Sequence, residues 1–192
     1  MEMIIYQGTS CLPYVDEICQ EEDKAFPEYA IGSSAVASII RMDDYISSCI
    51  RTDNDKLQAF LGAKIVCREI YDLFKDGALS EEELLSSNSN LSGDELFVYF
   101  SSVFSKAPKT PALACVFRSF FEQLDQLAPK RVRGSFAIAG TVQGEKFMTR
   151  IGFGRELSDS KYKLFSCWDE SVVRRMSEYD LLDHISIQAG RI

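Results

Sequence analysis

The sequence predicts an α/β fold, and three observations carry that prediction. Strand-like and helix-like runs alternate along most of the chain. The run DELFVYFSSVF, Asp94 to Phe104, has apolar residues at alternate positions on both faces, as a central strand requires. Leu113, Val116, Phe117, Phe120, Phe121, Leu124 and Leu127 recur at helical spacing between Pro111 and Pro129.

Taken in order, MIIYQG reads as a strand, followed by a helix that starts near Leu12 and places Val15, Ile18 and Cys19 on one side. Pro27 closes it by disfavouring helix at Phe26. Ser33 and Ser34 cap a second helix through AVASIIRM. The β-branched YISSCIRTDND and the apolar LQAFLGAKIV then form a hairpin turning at Asn54 and Asp55. EIYDLFKDG is a helix ending at Gly77, and Ser80 with Glu83 three residues on is a capping box for SEEELL. SSNSNLSG is a polar loop.

On the central run, strict alternation puts Leu96, Val98, Phe100 and Ser102 on one face and Phe97, Tyr99, Ser101 and Val103 on the other. Thr110 and Pro111 form the cap and first-turn pair of the long helix. VRGSFAIAG is a strand, and QGEKFMTRIGFGRE is a short amphipathic helix stopped at Gly152. FGRELSDSKYKLFSCW is a strand or a hairpin turning near Ser158 to Ser160, and DESVVRRMSEYDLL is a last amphipathic helix. Without a repeat or linker, residues 1–192 read as one domain.

Composition narrows the function. A net charge of -8 over 192 residues argues against a nucleic-acid surface, which draws its affinity from clustered Lys and Arg, and favours a basic or amine-bearing partner. Lys130, Arg131 and Arg133 make only a small basic knot, read as a solvated loop. Six cysteines show no C-x-x-C spacing and His184 is the single histidine, which leaves no basis for a metal site or a cysteine–histidine dyad. The thiols read as reduced core residues. No apolar run reaches the roughly 18 residues of a membrane span, and no basic leader precedes an apolar one, so the chain is read as cytoplasmic and without membrane partners.

DLFKDGALSEEE mimics a calcium loop, but Phe74 occupies the third ligand position and offers no oxygen. Nucleophile elbows, Walker loops and dinucleotide glycine fingerprints do not occur.

The element order, together with TVQGEKFMTRIGF, Thr141 to Phe153, resembles the GNAT superfamily of acetyltransferases. That segment is similar to the family's N-x-x-A-x-x-F-Y-x-x-x-G-F: Thr141 falls in the Asn slot, Gly144 in the Ala slot, and Phe147, Gly152 and Phe153 match. The resemblance covers roughly Ile4 to Cys167 and implies a mixed, splayed sheet flanked by helices. It further implies acetyl-CoA as cosubstrate, held between the strands near Val103 and near Thr141, and an amine-bearing small molecule or protein as acceptor. It is compatible with a homodimer.

Where the family's phosphate loop carries R/Q-x-x-G-x-G/A, this chain has Pro108, Pro111 and Leu113. Lys106, Lys109, the Thr110 cap and the first-turn amides of Ala112 to Ala114 then stand in as the anion site. Met148 fills the slot where the family places a proton-donating tyrosine, and a thioether donates no proton. Tyr99, Tyr162 or solvent is the substitute, and Glu95, on the same side of the strand as Tyr99, is placed with it to deprotonate or orient the amine. Two functions remain open within this fold, an active N-acetyltransferase and a GNAT-like binding or regulatory module that has lost transfer. An interaction protein of unrelated α/β fold is the third reading.

Overall fold

The computed structural model describes residues 3–25, 31–52, 54–92, 95–106, 111–128, 132–157, 163–169 and 187–189. The strands are β1 (Met3–Gln7), β2 (Tyr45–Thr52), β3 (Leu57–Cys67), β4 (Leu96–Ser105), β5 (Val132–Ile138), β6 (Gly154–Arg155), β7 (Leu164–Cys167) and β8 (Ile187–Ala189). They form one sheet in the order β6-β7-β5-β4-β3-β2-β1-β8. Strands β1 to β4 run antiparallel to one another in succession, whereas β4 with β5 and β1 with β8 are parallel pairs, so the sheet is mixed. The helices are α1 (Val15–Ala25), α2 (Ser33–Ile40), α3 (Arg68–Lys75), α4 (Glu81–Ser86), α5 (Ala112–Leu127) and α6 (Val142–Arg150).

Each face of the sheet carries its own core. On one, Ile46, Ile50, Leu61, Ile65, Val98 and Phe100 meet the apolar stripe of α5, with Phe100 ring centroids 5.9 Å from Phe117 and 5.2 Å from Phe120. On the other, Phe60, Val66, Phe97, Tyr99 and Phe136 are covered by α1, α2, α3 and α4 through Ile18, Val36, Tyr71, Phe74 and Leu84. Full burial of each such side chain contributes about 1.5–3 kcal/mol, so the strand apolar on both sides is the one both layers compete to cover.

Helix boundaries follow local chemistry, with departures from expectation at the starts of α1 and α2 and, at Pro111, of α5. A 3-10 segment at Gly8–Tyr14 precedes α1, which therefore begins at Val15 and not near Leu12; Pro13 lies inside that tighter turn. Gly32, in extended conformation, takes the N-cap position of α2, its carbonyl accepting from Ala35 and Val36; Ser33 and Ser34 lie inside the first turn. The box at Ser80 and Glu83 is present in full. Gly77 (φ 74°) ends α3 with the Ala78 amide donating to the Leu73 carbonyl, so a helix stop and a helix start account for the letters of the apparent calcium loop.

The alternation of β4 breaks in the middle. Gly62 pairs with Ser102 and Ala63 with Phe100, leaving Ser101 as an extra residue. Past this bulge the faces exchange: Val103 packs with the α5 core and Phe104 with the opposite one. The uninterrupted alternation expected for Ser102 and Val103 is therefore corrected by one inserted residue.

Candidate functional site

The parallel ladder between β4 and β5 runs only from Leu96↔Val132 to Phe100↔Ala137. Beyond it β5 continues on β7 through Ile138↔Leu164, while Ser102 to Ser105 of β4 stay with β3. The two strands thus part at the bulge, and a cavity of about 390 Å³ opens between them. Val103, Ala137, Ala139 and Gly140 line the fork itself. Small side chains there leave room for a slender chain to approach backbone edges released from the sheet ladder.

Gly62 makes the bulge possible. A Cβ at Gly62 would stand 2.1 Å from the Tyr45 hydroxyl, and that hydroxyl lies 2.8 Å from the Ser101 oxygen. Ser101 spends its own proton on the Gly62 carbonyl at 3.1 Å, so Tyr45 is the donor between the two hydroxyls. Burial pushes the Tyr45 phenol above its ordinary range, which keeps it protonated for this duty.

One wall of the cavity belongs to α6. The Thr141 hydroxyl accepts from the Gly144 amide at 2.9 Å and caps the helix. At its far end Gly152 (φ 93°) and Phe153 close it, their amides donating to the Thr149 and Met148 carbonyls. This turn drops Phe153, 4% exposed, onto Phe100, and brings Gly144, Phe147, Met148 and Ile151 to the cavity.

The opposite wall is acidic. Glu22 of α1 and Glu81 and Glu82 of α4 line it with Tyr45, Tyr99, Ser101 and Ser102. Burial pushes the Glu22 carboxyl up to about 7; the Asp23 and Glu81 charges add to the shift and the Ser102 hydroxyl works against it. Burial also raises Glu81, while the Tyr99 phenol, donating to its Oε1, holds it back. One carboxyl poised near neutrality beside a second that engages a phenol is an arrangement suited to taking up and passing on protons.

Helix α1 is moored at its start. Glu17 meets Arg51 at 2.5 Å, accepts the Leu57 amide at 3.2 Å and lies 3.4 Å from Lys106. Arg51 also bonds Asp55 and lies over the Tyr14 ring at 4.1 Å. Although burial works against it, the Arg51 contact lowers the Glu17 carboxyl, so Glu17 holds its charge where Glu22 is pushed to give its charge up.

The residues singled out in the sequence divide. Tyr99 and Val103 line the cavity. Glu95 does not: at the start of β4 its carboxylate engages Arg68 at 3.0 Å and Arg133 at 3.6 Å, four residues and about 13 Å along the strand from Tyr99. Lys106 pairs with Glu17 and, at 3.1 Å, with Glu21, which ties the end of β4 to α1. Pro111 takes the N-cap position of α5 without a side-chain hydrogen bond. Ala112 is buried and Ala114 half-buried in the first turn, where helix geometry leaves amides without intrahelical partners. Thr141 serves as a helix cap beside the cavity. Lys109, Thr110, Tyr162 and His184 lie outside the described residues.

Glu22 and Glu81, the two carboxyls that matter most here, escaped the sequence reading, yet both leave a trace. Val15, Ile18, Cys19 and Glu22 follow helical spacing, so Glu22 shares the buried stripe of α1; Glu81 stands one turn before the buried Leu84 and Leu85. A carboxylate inside an apolar stripe was the usable signal. Among the described residues no group of three or more His, Cys, Asp or Glu side chains is placed to hold a metal ion, and no helix is long and apolar enough to cross a membrane.

No family model and no curated protein matches the sequence. Solved structures do match the fold. Arabidopsis thaliana NAA60 in complex with acetyl-CoA aligns with a TM-score of 0.55 at 16% identity, over 88% of this chain and 99% of that one. The PaiA N-acetyltransferase of Thermoplasma acidophilum in complex with coenzyme A aligns at 0.56 and 11% identity, over 88% and 100%. An aminoglycoside acetyltransferase from an uncultured soil metagenomic sample, in complex with sisomicin, aligns at 0.50 and 8%, over 77% and 84%. The architecture is the GNAT fold, an α/β class built on a mixed sheet, and the unrelated α/β fold is set aside.

Proposed function

We propose that the protein is an N-acetyltransferase that moves an acetyl group from acetyl-CoA to an amine. The observation that carries this reading is the fork at Phe100 and Ala137, a ladder released beside a cavity whose far wall holds two desolvated carboxyls. Fold neighbours bound to acetyl-CoA or coenzyme A support the choice of cosubstrate.

In this reading the pantetheine arm lies along β4 past Phe100, flanked by Val103, Ala139 and Gly140, and the first-turn amides from Ala112 to Ala114 face its phosphates. The acceptor enters from the α1 and α4 side. Glu22, as carboxylate, removes one proton from the ammonium and passes it to solvent; the freed lone pair attacks the thioester carbon, forming the C–N bond as the C–S bond breaks, and the nitrogen's second proton then leaves to the regenerated Glu22 carboxylate. The departing thiolate takes a proton from the Tyr99 phenol, which Glu81 holds in place and which solvent then restores through Glu81. Tyr99 thereby fills the role that Met148, a thioether in the cavity wall, does not.

The second reading, a binding module without transfer, is favoured by Met148 and by Pro111 and Leu113 in the phosphate-loop slots. One experiment separates the two. Acetyl-CoA at 100 times its dissociation constant stabilises a protein by about 2.7 kcal/mol, read as a thermal shift. A shift accompanied by thiol release in the presence of amines supports the transferase, and a shift without release across an amine panel supports the module. Absence of any shift at millimolar acetyl-CoA overturns both.

A further inference from the structure

A second, apolar space adjoins the acidic wall of the cavity. This depression of about 300 Å³ lies between α2 and α4, lined chiefly by Ile31, Ala35, Ile39, Met42 and Leu85. Ile31, Ile39, Glu82 and Leu85 line both spaces, so the two meet along one shared wall. On one side of that shared border stand Glu22, Glu81 and Glu82, and on the other the aliphatic trough. None of the described residues lining either space is Lys or Arg.

Resting on the transferase reading above, we propose that the acceptor is an amphiphilic primary amine whose ammonium head sits at the Glu22 and Glu81 wall and whose apolar tail lies in the trough between α2 and α4. Charge selects the head: three acidic residues and, among the described lining residues, no basic one favour a cation over an amino acid whose own carboxylate would sit beside the reacting nitrogen. Apolar lining selects the tail. A polyamine would place its further ammoniums among Ile31, Ile39, Met42 and Leu85, where Glu82 at the border is the single charged residue among the described lining and the lost hydration is poorly replaced. An alkyl or arylalkyl chain instead gains roughly threefold to fourfold in affinity for each methylene withdrawn from water.

The test is a series from ethylamine through butylamine and hexylamine to octylamine, with spermidine and alanine for comparison, scored by thiol release from acetyl-CoA. The expected result is a kcat/KM that rises roughly threefold per methylene as far as hexylamine, with spermidine and alanine trailing hexylamine by more than about tenfold. Ala35→Lys places a charge on an exposed residue of the trough and is expected to bring the hexylamine-to-ethylamine ratio down to about threefold or less. Calorimetric titration of the same amines into the protein saturated with coenzyme A reads the same ranking without turnover. A flat series, or spermidine ahead of hexylamine in either assay, overturns this inference and leaves the transferase standing. Ranked binding without thiol release from any amine supports the trough while overturning the transferase reading.

Discussion

The two halves of β4 differ more than their sequences do. Leu96 to Phe100 are all buried and pair with β3 on one side and β5 on the other; Ser101 to Ser105 are half-buried and pair with β3 alone. Phe97, Val98 and Phe100 are matched in kind by Val103 and Phe104, so hydrophobicity does not separate the halves. What separates them is one extra residue at Ser101, admitted because Gly62 leaves space for the Tyr45 hydroxyl. The first half anchors both cores, and the second gives up a ladder to leave backbone edges beside a cleft. Stability and candidate chemistry are thus assigned to adjacent segments of one strand.

Breaking the anchored half has the largest expected effect. Phe120→Ala removes the ring nearest Phe100 in the α5 core and is expected to cost about 3–5 kcal/mol, measured by urea denaturation. Acetyl-CoA affinity per folded molecule should stay within about twofold, because Phe120 does not line the cavity; a larger change would merge the two halves functionally.

Glu22→Gln tests the cleft wall. Loss of a positioned base is expected to lower kcat by about 10²-fold, with the acid limb of the wild-type kcat/KM profile, centred near the raised carboxyl value of about 7, disappearing in the variant. Stability supplies an independent sign. A carboxyl raised from 4.5 to about 7 by folding binds a proton in the native state that the unfolded chain has released, so wild-type stability falls as pH rises through that window. The variant lacks this loss, and its thermal midpoint is expected to gain more over wild type at pH 8 than at pH 5.

The boundary itself is probed by Gly62→Ala, whose Cβ must displace the Tyr45 hydroxyl. A cost of about 1–3 kcal/mol is expected, together with a weaker thermal shift by acetyl-CoA, since the bulge loses its brace. Tyr45→Phe is the mildest change. Ser101 keeps its bond to Gly62, so about 1 kcal/mol is expected from chemical denaturation and the fork should persist. If Tyr45→Phe abolished acetyl-CoA binding while Gly62→Ala did not, the hydroxyl would be a ligand-facing group and not a brace.

Much of this architecture was legible in the letters. The α5 stripe, the box at Ser80 and Glu83, the glycine stops at Gly77 and Gly152 and the turn at Asp55 follow from local rules that need no tertiary knowledge. The bulge was not legible, because Ser101 and Ser102 satisfy strict alternation equally well; only the register against β3 reveals the extra residue. Glu95 was drawn into the site because alternation places it on the side of Tyr99, yet sharing a face says nothing of distance along a strand, and Arg68 and Arg133 hold it at the far end. Glu22 and Glu81 come from helices more than 55 residues apart, and their proximity is a product of the sheet on which both helices pack.

Glu22 stands five residues, about 7.5 Å of helix rise, beyond Glu17. Glu17 is fastened to Arg51 and to the Leu57 amide at the turn end of the β2–β3 hairpin, so the aim of Glu22, the proton acceptor of the proposed reaction, is set by an anchor outside the cavity lining. Substitutions at Arg51 or Asp55 would swing that helix and retune turnover from outside the cleft, giving this chain an evolutionary dial separate from its recognition surface.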